Sequence, residues 1–209
     1  MMRETLEVQR ATLGPKHPDT LTSMGNLAAL LQTQGKLGEA EPLVKETLEV
    51  RRATLGPKHP STLCGMNNLA LLLKAQGKLG EAEPLYREAL EVKRATLGPK
   101  HPNTLTSMGN LAEVLRQQGK LGEAEPLMRE TLEVLRATLG PKHPDTLGSM
   151  SNWALLLHAQ GKLAEAEALF KETLVGLCTV LGPQHPNTLS TERLLAQVAQ
   201  QRKGGGKRK

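Results

Sequence analysis

The stretch LGPKHP, residues 13–18, returns at 55–60, at 97–102 and at 139–144, and once more as LGPQHP at 181–186. The same six letters therefore recur every 42 positions through a chain of 209 residues. A fixed period of roughly 20 to 50 residues is the signature of a stacked array of small units, each burying its apolar face against the next. The core is then expected to be distributed along the chain.

The remaining composition fits helices. Aromatic residues are confined to Tyr86, Trp153 and Phe170, so Leu, Ala, Val and Met must supply the apolar surface, a set that favours packed helices over a sheet. No apolar run approaches the roughly 20 residues that span a bilayer, and the opening MMRETLEVQR is charged and amphipathic. The expectation is a soluble cytoplasmic protein with no membrane partner. Cys64 and Cys178 fall at different positions of the repeat without metal-ligand spacing, which reads as two free thiols. The net charge of +6 is mostly a tail effect: RKGGGKRK, residues 202–209, holds five cations and no acid. That segment is expected to be disordered, with polyanion binding or nuclear import as the alternative.

Within one unit, Leu21, Met24, Leu27, Ala28 and Leu31 recur three or four apart and mark one face of a helix, here helix A. His17-Pro18 sets its start and Gly35 its end. Helix B follows, with Leu37, Ala40, Leu43, Val44, Thr47 and Leu48 on one face, and stops at the next Leu-Gly-Pro. Pro42 is compatible with this helix if Gly38 is its N-cap, which makes Pro42 the fourth helical residue, where an N–H has no intrahelical partner. Glu41 precedes Lys45 by four, as Glu83 precedes Arg87, Glu125 precedes Arg129 and Glu167 precedes Lys171. These read as exposed pairs worth ~0.3 kcal/mol each.

The spacing and letters resemble the tetratricopeptide repeat, in which antiparallel helix pairs cross at small residues. Ala28 and Ala40, and their counterparts Ala70 and Ala82, Ala112 and Ala124, Ala154 and Ala166, stand at those crossings. The large residues of the repeat match Leu27, Leu69, Leu111 and Trp153 on helix A, and Val44, Tyr86, Met128 and Phe170 on helix B. The period, LGPxHPxT, NNLA at 67–70 and EAEPLYREAL at 81–90 are similar to the repeats of kinesin light chains and light-chain-like proteins. The resemblance implies an all-α fold: a right-handed α-solenoid of antiparallel helix pairs.

The units divide the chain into a truncated helix B at 1–12, repeats at 13–54, 55–96, 97–138 and 139–180, a loop with a closing helix at 181–201, and the tail at 202–209. Ten helices are expected. Glu192, Arg193, Gln197 and Gln200 make the closing helix more polar, as suits a solenoid cap. The start in mid-unit gives the expectation that the natural product is longer or that this chain is a fragment.

On a wheel of about 100° per residue, Thr22, Asn26, Ala29 and Thr33 lie opposite the core stripe of helix A. The corresponding stripes are Cys64, Asn68, Leu71, Ala75; Thr106, Asn110, Glu113, Gln117; and Gly148, Asn152, Leu155, Ala159. In a solenoid the A helices line the concave binding surface. Asn26, Asn68, Asn110 and Asn152 would offer amide donors and acceptors to the backbone of an extended peptide. Bracing between neighbouring helices, or simple duplication, remains the alternative for them. Leu71 and Leu155 are apolar where a free helix would carry polar residues, and Lys74, Arg116 and His158 edge the groove beside Glu113. Together these predict an extended ligand with apolar and acidic character. The resemblance implies the same, since light-chain-like repeats accept short acidic peptides containing tryptophan, and their matching asparagines hold the bound segment.

Other chemistry finds no support. The recurrent His17, His59, His101, His143 and His185 sit one repeat apart, and helices pack about 8 to 10 Å apart, too far to share one metal ion. No cofactor motif and no nucleophile beside a base is present, so no enzyme is expected. A nucleic-acid-reading repeat protein would need basic and stacking residues on the stripe, which holds one acid and no aromatic. A clamp for chaperone C-termini would need more cations than Lys74 and Arg116. The expected role is a non-catalytic scaffold or adaptor. A cargo adaptor partnering a kinesin heavy chain at the cytoskeleton, or the repeat region of a larger signalling protein, are its two specific forms.

Overall fold

In the computed structural model the backbone of residues 1–205 and the side chains of residues 1–203 are described. Among these residues the chain forms ten helices and no strand: α1 (Met2–Thr12), α2 (Pro18–Thr33), α3 (Leu37–Leu55), α4 (Pro60–Ala75), α5 (Leu79–Leu97), α6 (Pro102–Gln117), α7 (Leu121–Leu139), α8 (Pro144–Ala159), α9 (Leu163–Val180) and α10 (Pro186–Gly205). The even-numbered helices are the A type and the odd-numbered ones the B type. The number of helices and their alternation agree with the sequence reading.

The recurring hexapeptide is a helix stop fused to a helix start. Gly56 closes α3 at φ 86° and ψ 163°, a region open essentially to glycine alone, and Gly98 and Gly140 do the same for α5 and α7. The next helix begins at proline, which has no N–H to satisfy. The first free donor belongs to the following residue, and the imidazole takes it: His59 Nδ1 accepts from the Ser61 N–H at 3.1 Å. His17, His101, His143 and His185 cap their helices in the same way, at 3.1 to 3.2 Å. The threonine two residues past each His-Pro is buried: Thr62 and Thr146 donate to carbonyls of the preceding helix, Arg51 at 3.3 Å and Leu135 at 3.4 Å, and two others close the loop itself. Thr20 donates to the Gly14 carbonyl at 2.9 Å and Thr188 to that of Gly182 at 2.8 Å. Both duties of LGPxHPxT are thus local.

Helix B begins earlier than expected. Its N-cap is Lys36, with no side-chain capping bond, so Pro42 is an interior residue of α3 rather than one of its first four. Its missing N–H leaves the Gly38 carbonyl without its intrahelical donor. The glycine there lacks the Cβ that would stiffen the turn against the proline ring. In the fourth repeat Ala164 and Ala168 replace this Gly and Pro together, and α9 runs without an internal proline.

The chain divides into two compact units, Met1–Gly98 and Pro99–Lys209. In the first, α1 packs on α2, α2 on α3, α3 on α4 and α4 on α5. Met24, Leu27, Ala28 and Leu31 of α2 are buried, as are Ala40, Val44 and Leu48 of α3, and the next pair repeats the pattern with Tyr86 wholly enclosed. In the second, α6 packs on α7, α7 on α8, α8 on α9 and α9 on α10. Ala154, Leu157, Ala166, Phe170 and Val198 form one cluster there, and Leu132, Leu147, Met150 and Leu177 another. Trp153 is only half-buried, and the Arg129 guanidinium lies 5.8 Å from its ring centroid. The alanines at the expected crossings are all enclosed, which lets the paired backbones approach.

The closing helix runs to Gly205, beyond the boundary of 201 that the sequence suggested for it. Arg202 and Lys203 stand in its last turn, where cations favour the negative end of the helix dipole, and Arg202 reaches Glu167 at 3.1 Å. Of the expected disordered tail, residues 206–209 lie outside the described residues.

Candidate functional site

The stripes opposite the core differ between the units. All eight positions on α2 and α4 are exposed: Thr22, Asn26, Ala29 and Thr33, then Cys64, Asn68, Leu71 and Ala75. On α6 and α8, Asn110, Glu113, Asn152 and Leu155 are half-buried.

Neither Asn26 nor Asn68 has a side-chain partner among the described residues, and the same holds for Asn152 in the second unit. Asn110 is engaged in an interaction of its own. Leu71 is 39% exposed, a large apolar side chain on an otherwise small and polar face. Lys74, half-buried at the edge of that face, also has no ion-pair or hydrogen-bond partner among the described residues.

The equivalent groups of the second unit have partners within the chain. Arg116 donates twice to Glu113, Nε to Oε2 and Nη2 to Oε1, both at 2.8 Å. The carboxylate raises the guanidinium further above its ordinary range and neutralises it as a contact for an acidic ligand. His158 Nε2 lies 2.6 Å from Gln201 Oε1 of α10. Leu155 packs on the cluster containing Val198, beside Leu194, which occupies in α10 the place that asparagine holds in α2, α4, α6 and α8. Its apolar character therefore has an internal reason.

The carboxylates of the Glu–Lys and Glu–Arg pairs are less exposed than their spacing suggested, and three of them reach a second partner. The Glu41 side chain is only 13% exposed and meets both Lys45 at 2.6 Å and Lys78, one repeat on, at 2.8 Å. Hydrogen bonds from Lys45 first, and then from Lys78, pull its carboxyl down to about 2. Gln160 donates to Glu125 at 2.8 Å, and this bond is the main cause of the lowered Glu125 carboxyl. Glu167 is held by Lys171 at 2.7 Å and Arg202 at 3.1 Å, and its carboxyl is lowered chiefly by Lys171. A second ladder joins B helices one repeat apart: Arg10 to Glu46 at 2.6 Å, Arg52 to Glu88 at 2.5 Å and Arg136 to Glu172 at 3.5 Å. Together these interactions use up much of the cationic charge of the B helices.

No cluster of three or more His, Cys, Asp or Glu able to hold a metal ion occurs among the described residues. Each loop imidazole instead serves its own helix. Cys64 and Cys178 are unpaired and exposed. No described helix is long and apolar enough to cross a membrane.

The tetratricopeptide repeat family matches this chain in overlapping segments at residues 1–53, 25–95, 61–137, 109–177 and 149–204. Among solved structures it is similar to the nearly identical TPR-like repeats of a protein from Podosopora anserina named as a kinesin light chain. The identity is 30% over 92% of this chain and 90% of that one, with a TM-score of 0.75. A single-substitution variant of the same protein gives 30% identity over 92% and 89%, with a TM-score of 0.76. BtubC (BKLC) from P. vanneervenii shares the fold, at 21% identity over 95% of this chain and 80% of that one and a TM-score of 0.75. No curated protein matches the chain.

Proposed function

From the premise that the chain belongs to the tetratricopeptide repeat family, with repeats of the kinesin light chain-like type, we propose that it is a non-catalytic protein–protein interaction scaffold. It would hold extended peptide segments of a protein partner along the exposed stripes of its A-type helices. The observation that supports this most is the set of unpartnered amides: Asn26, Asn68 and Asn152 keep both donor and acceptor groups for a ligand. An extended backbone presents N–H and C=O groups that such amides can satisfy without reading side chains. This is a cytoplasmic adaptor without cofactor or catalytic step. The similarity to a kinesin light chain favours one specific form of it, coupling a cargo protein to a motor heavy chain.

The test is capture of protein partners on the purified chain beside an Asn26→Ala/Asn68→Ala variant, with circular dichroism as the control for helix content. Partners retained by the native chain and lost by the variant support the reading. Identical capture by both forms refutes the stripe as the site. Recovery of a motor heavy chain among the lost partners would support the cargo adaptor, and its absence would count against it.

A further inference from the structure

We infer that the side of the first unit where B-type helices end and A-type helices begin docks on a lipid bilayer carrying anionic headgroups. The contact is peripheral, since no described helix is long and apolar enough to cross a membrane. It is made by loops, and the asparagines of the A-helix stripes take no part in it. Short connections make consecutive helices antiparallel, so α1, α3 and α5 all end on one side of the unit. Leu13, Leu55 and Leu97 stand at those three ends, 46%, 47% and 43% exposed.

Scattered exposed leucines are ordinary on a protein surface. These recur at one position of the repeat and on one side, and the opposite side differs. There the turns between A-type and B-type helices carry Leu37 and Leu79, both half-buried, and no exposed large apolar side chain among the described residues. The loop leucines also have apolar company: Ala53, Pro57 and Pro60 are exposed around Leu55, and Ala11, Pro15 and Pro18 around Leu13.

Charge separates the two sides in the same direction. Lys16 and Lys58 are exposed in these loops, without an ion-pair or hydrogen-bond partner among the described residues. Asp19 is the one acid within residues 11–19 and 53–61. On the opposite side Glu39 and Glu81 accompany Lys36 and Lys78, and Lys78 is spent on Glu41 at 2.8 Å. Unmatched lysines beside exposed leucine and proline suit an interface that is apolar within and anionic at its surface. The leucines would enter the acyl boundary while the lysines stay among the headgroups.

The loops can approach such a surface without stranding their backbone, which matters because an unpaired polar group is costly away from water. Pro57 and Pro60 have no N–H, the N–H groups of Gly56 and His59 reach the Arg52 and Gly56 carbonyls, and that of Ser61 reaches His59 Nδ1. The Thr54 hydroxyl is likewise bonded, to the Val50 carbonyl at 2.8 Å, as Thr12 is to Val8. A protein partner of fixed shape needs a groove to fill, whereas a fluid bilayer adapts to separate loop tips.

The experiment is flotation of the full chain with vesicles of phosphatidylcholine, with and without phosphatidylserine, and circular dichroism as the control for folding. The five cations of residues 202–209 attract anionic vesicles on their own, so net charge has to be separated from the surface. Binding to the phosphatidylserine vesicles is expected to weaken about 25-fold in Lys16→Ala/Lys58→Ala, a factor of about five for each lysine. Lys36→Ala/Lys162→Ala changes net charge equally in the turns between A-type and B-type helices and should stay within about twofold. Leu13→Ser/Leu55→Ser leaves the charge untouched and should weaken binding about fivefold. No binding to either vesicle, equal losses in the two lysine pairs, or indifference to the leucines overturns the inference. Loss with the loop lysines alone would point to a soluble polyanion and overturns it too. None of these outcomes alters the reading of the stripes, which the partner capture tests separately.

Discussion

Replacing His59 by alanine tests whether the loop histidines are helix caps rather than remnants of duplication. At the start of α4, Pro60 has no N–H, and the Thr62 and Leu63 N–H groups reach the His59 carbonyl at 2.9 and 3.0 Å. Only the Ser61 N–H depends on the side chain, through the 3.1 Å bond to Nδ1. One capping bond is therefore at stake, at an exposed helix end where water can partly replace it. The expected cost is ~1 kcal/mol. For a chain of this size that corresponds to a fall of roughly 2 to 4 °C in melting temperature. Asparagine at the same position offers a side-chain oxygen with N-cap geometry and should recover most of the loss. Because repeat arrays can unfold in parts, the decisive assay is amide hydrogen exchange at Ser61 in native conditions, alongside thermal melting followed by circular dichroism. Protection at Ser61 should fall in His59→Ala and return in His59→Asn. If alanine and asparagine behave alike, or if Ser61 protection does not change, the imidazole is not the cap and the reasoning about LGPKHP fails.

Three further outcomes follow from the packing and charge of the structure. The Glu41 carboxyl is held down at about 2, so its contribution is fully present above the ordinary carboxylate range and is lost as pH falls through that range toward about 2. Acid unfolding of Glu41→Gln should accordingly show a shallower loss of stability below about pH 5 than the native chain, and equal slopes would contradict the junction between Lys45 and Lys78. The Tyr86 hydroxyl is buried without a hydrogen-bond partner, and burial pushes its ionisation up to about 12. Tyr86→Phe should be neutral or stabilising by up to ~1 kcal/mol in denaturant titration, and a clear loss would reveal a partner for that hydroxyl. Two glycines in helices should respond oppositely to alanine. A Cβ on Gly176 would stand 2.5 Å from Leu147 Cδ2, whereas one on Gly25 would meet nothing within 4 Å. Gly25→Ala should stabilise by ~0.5 to 1 kcal/mol and Gly176→Ala destabilise by ~1 to 3 kcal/mol, and the same sign for both would show that close packing at Gly176 is not what decides it.

Most of the secondary structure was legible in the letters because it depends on interactions that span at most a few residues. The glycine that ends one helix, the proline that begins the next and the three-or-four spacing of Leu, Met and Ala each act on their own turn. Two boundaries differ from that reading, the start of α3 after Lys36 rather than Gly38 and the end of α10 at Gly205 rather than 201, and the first is of the same local kind. Pro42 predicts a helix start within four residues, but α3 begins at Leu37 and tolerates the lost bond with a glycine at the affected carbonyl. The imidazole acceptors and the buried threonines were also local. Neither role shows in the letters, because each depends on the backbone geometry of the loop that brings donor and acceptor together.

The candidate site divides differently. The sequence by itself determined the stripe, the recurrence of asparagine in it and the variety at its edge, since all three follow from helical period and repeat spacing. It could not rank Lys74, Arg116 and His158, or Leu71 and Leu155, because near-identical copies carry similar letters. Their environments differ through contacts the period does not encode: a carboxylate at 113, a glutamine at 201, a valine at 198. Glu41 likewise looked like half of an exposed pair within one helix until packing brought Lys78 beside it from the next repeat. Only the tertiary structure decided that Glu41, His158 and Leu155 are engaged inside the molecule, because the neighbours that pair with them or cover them lie about one repeat away in the chain.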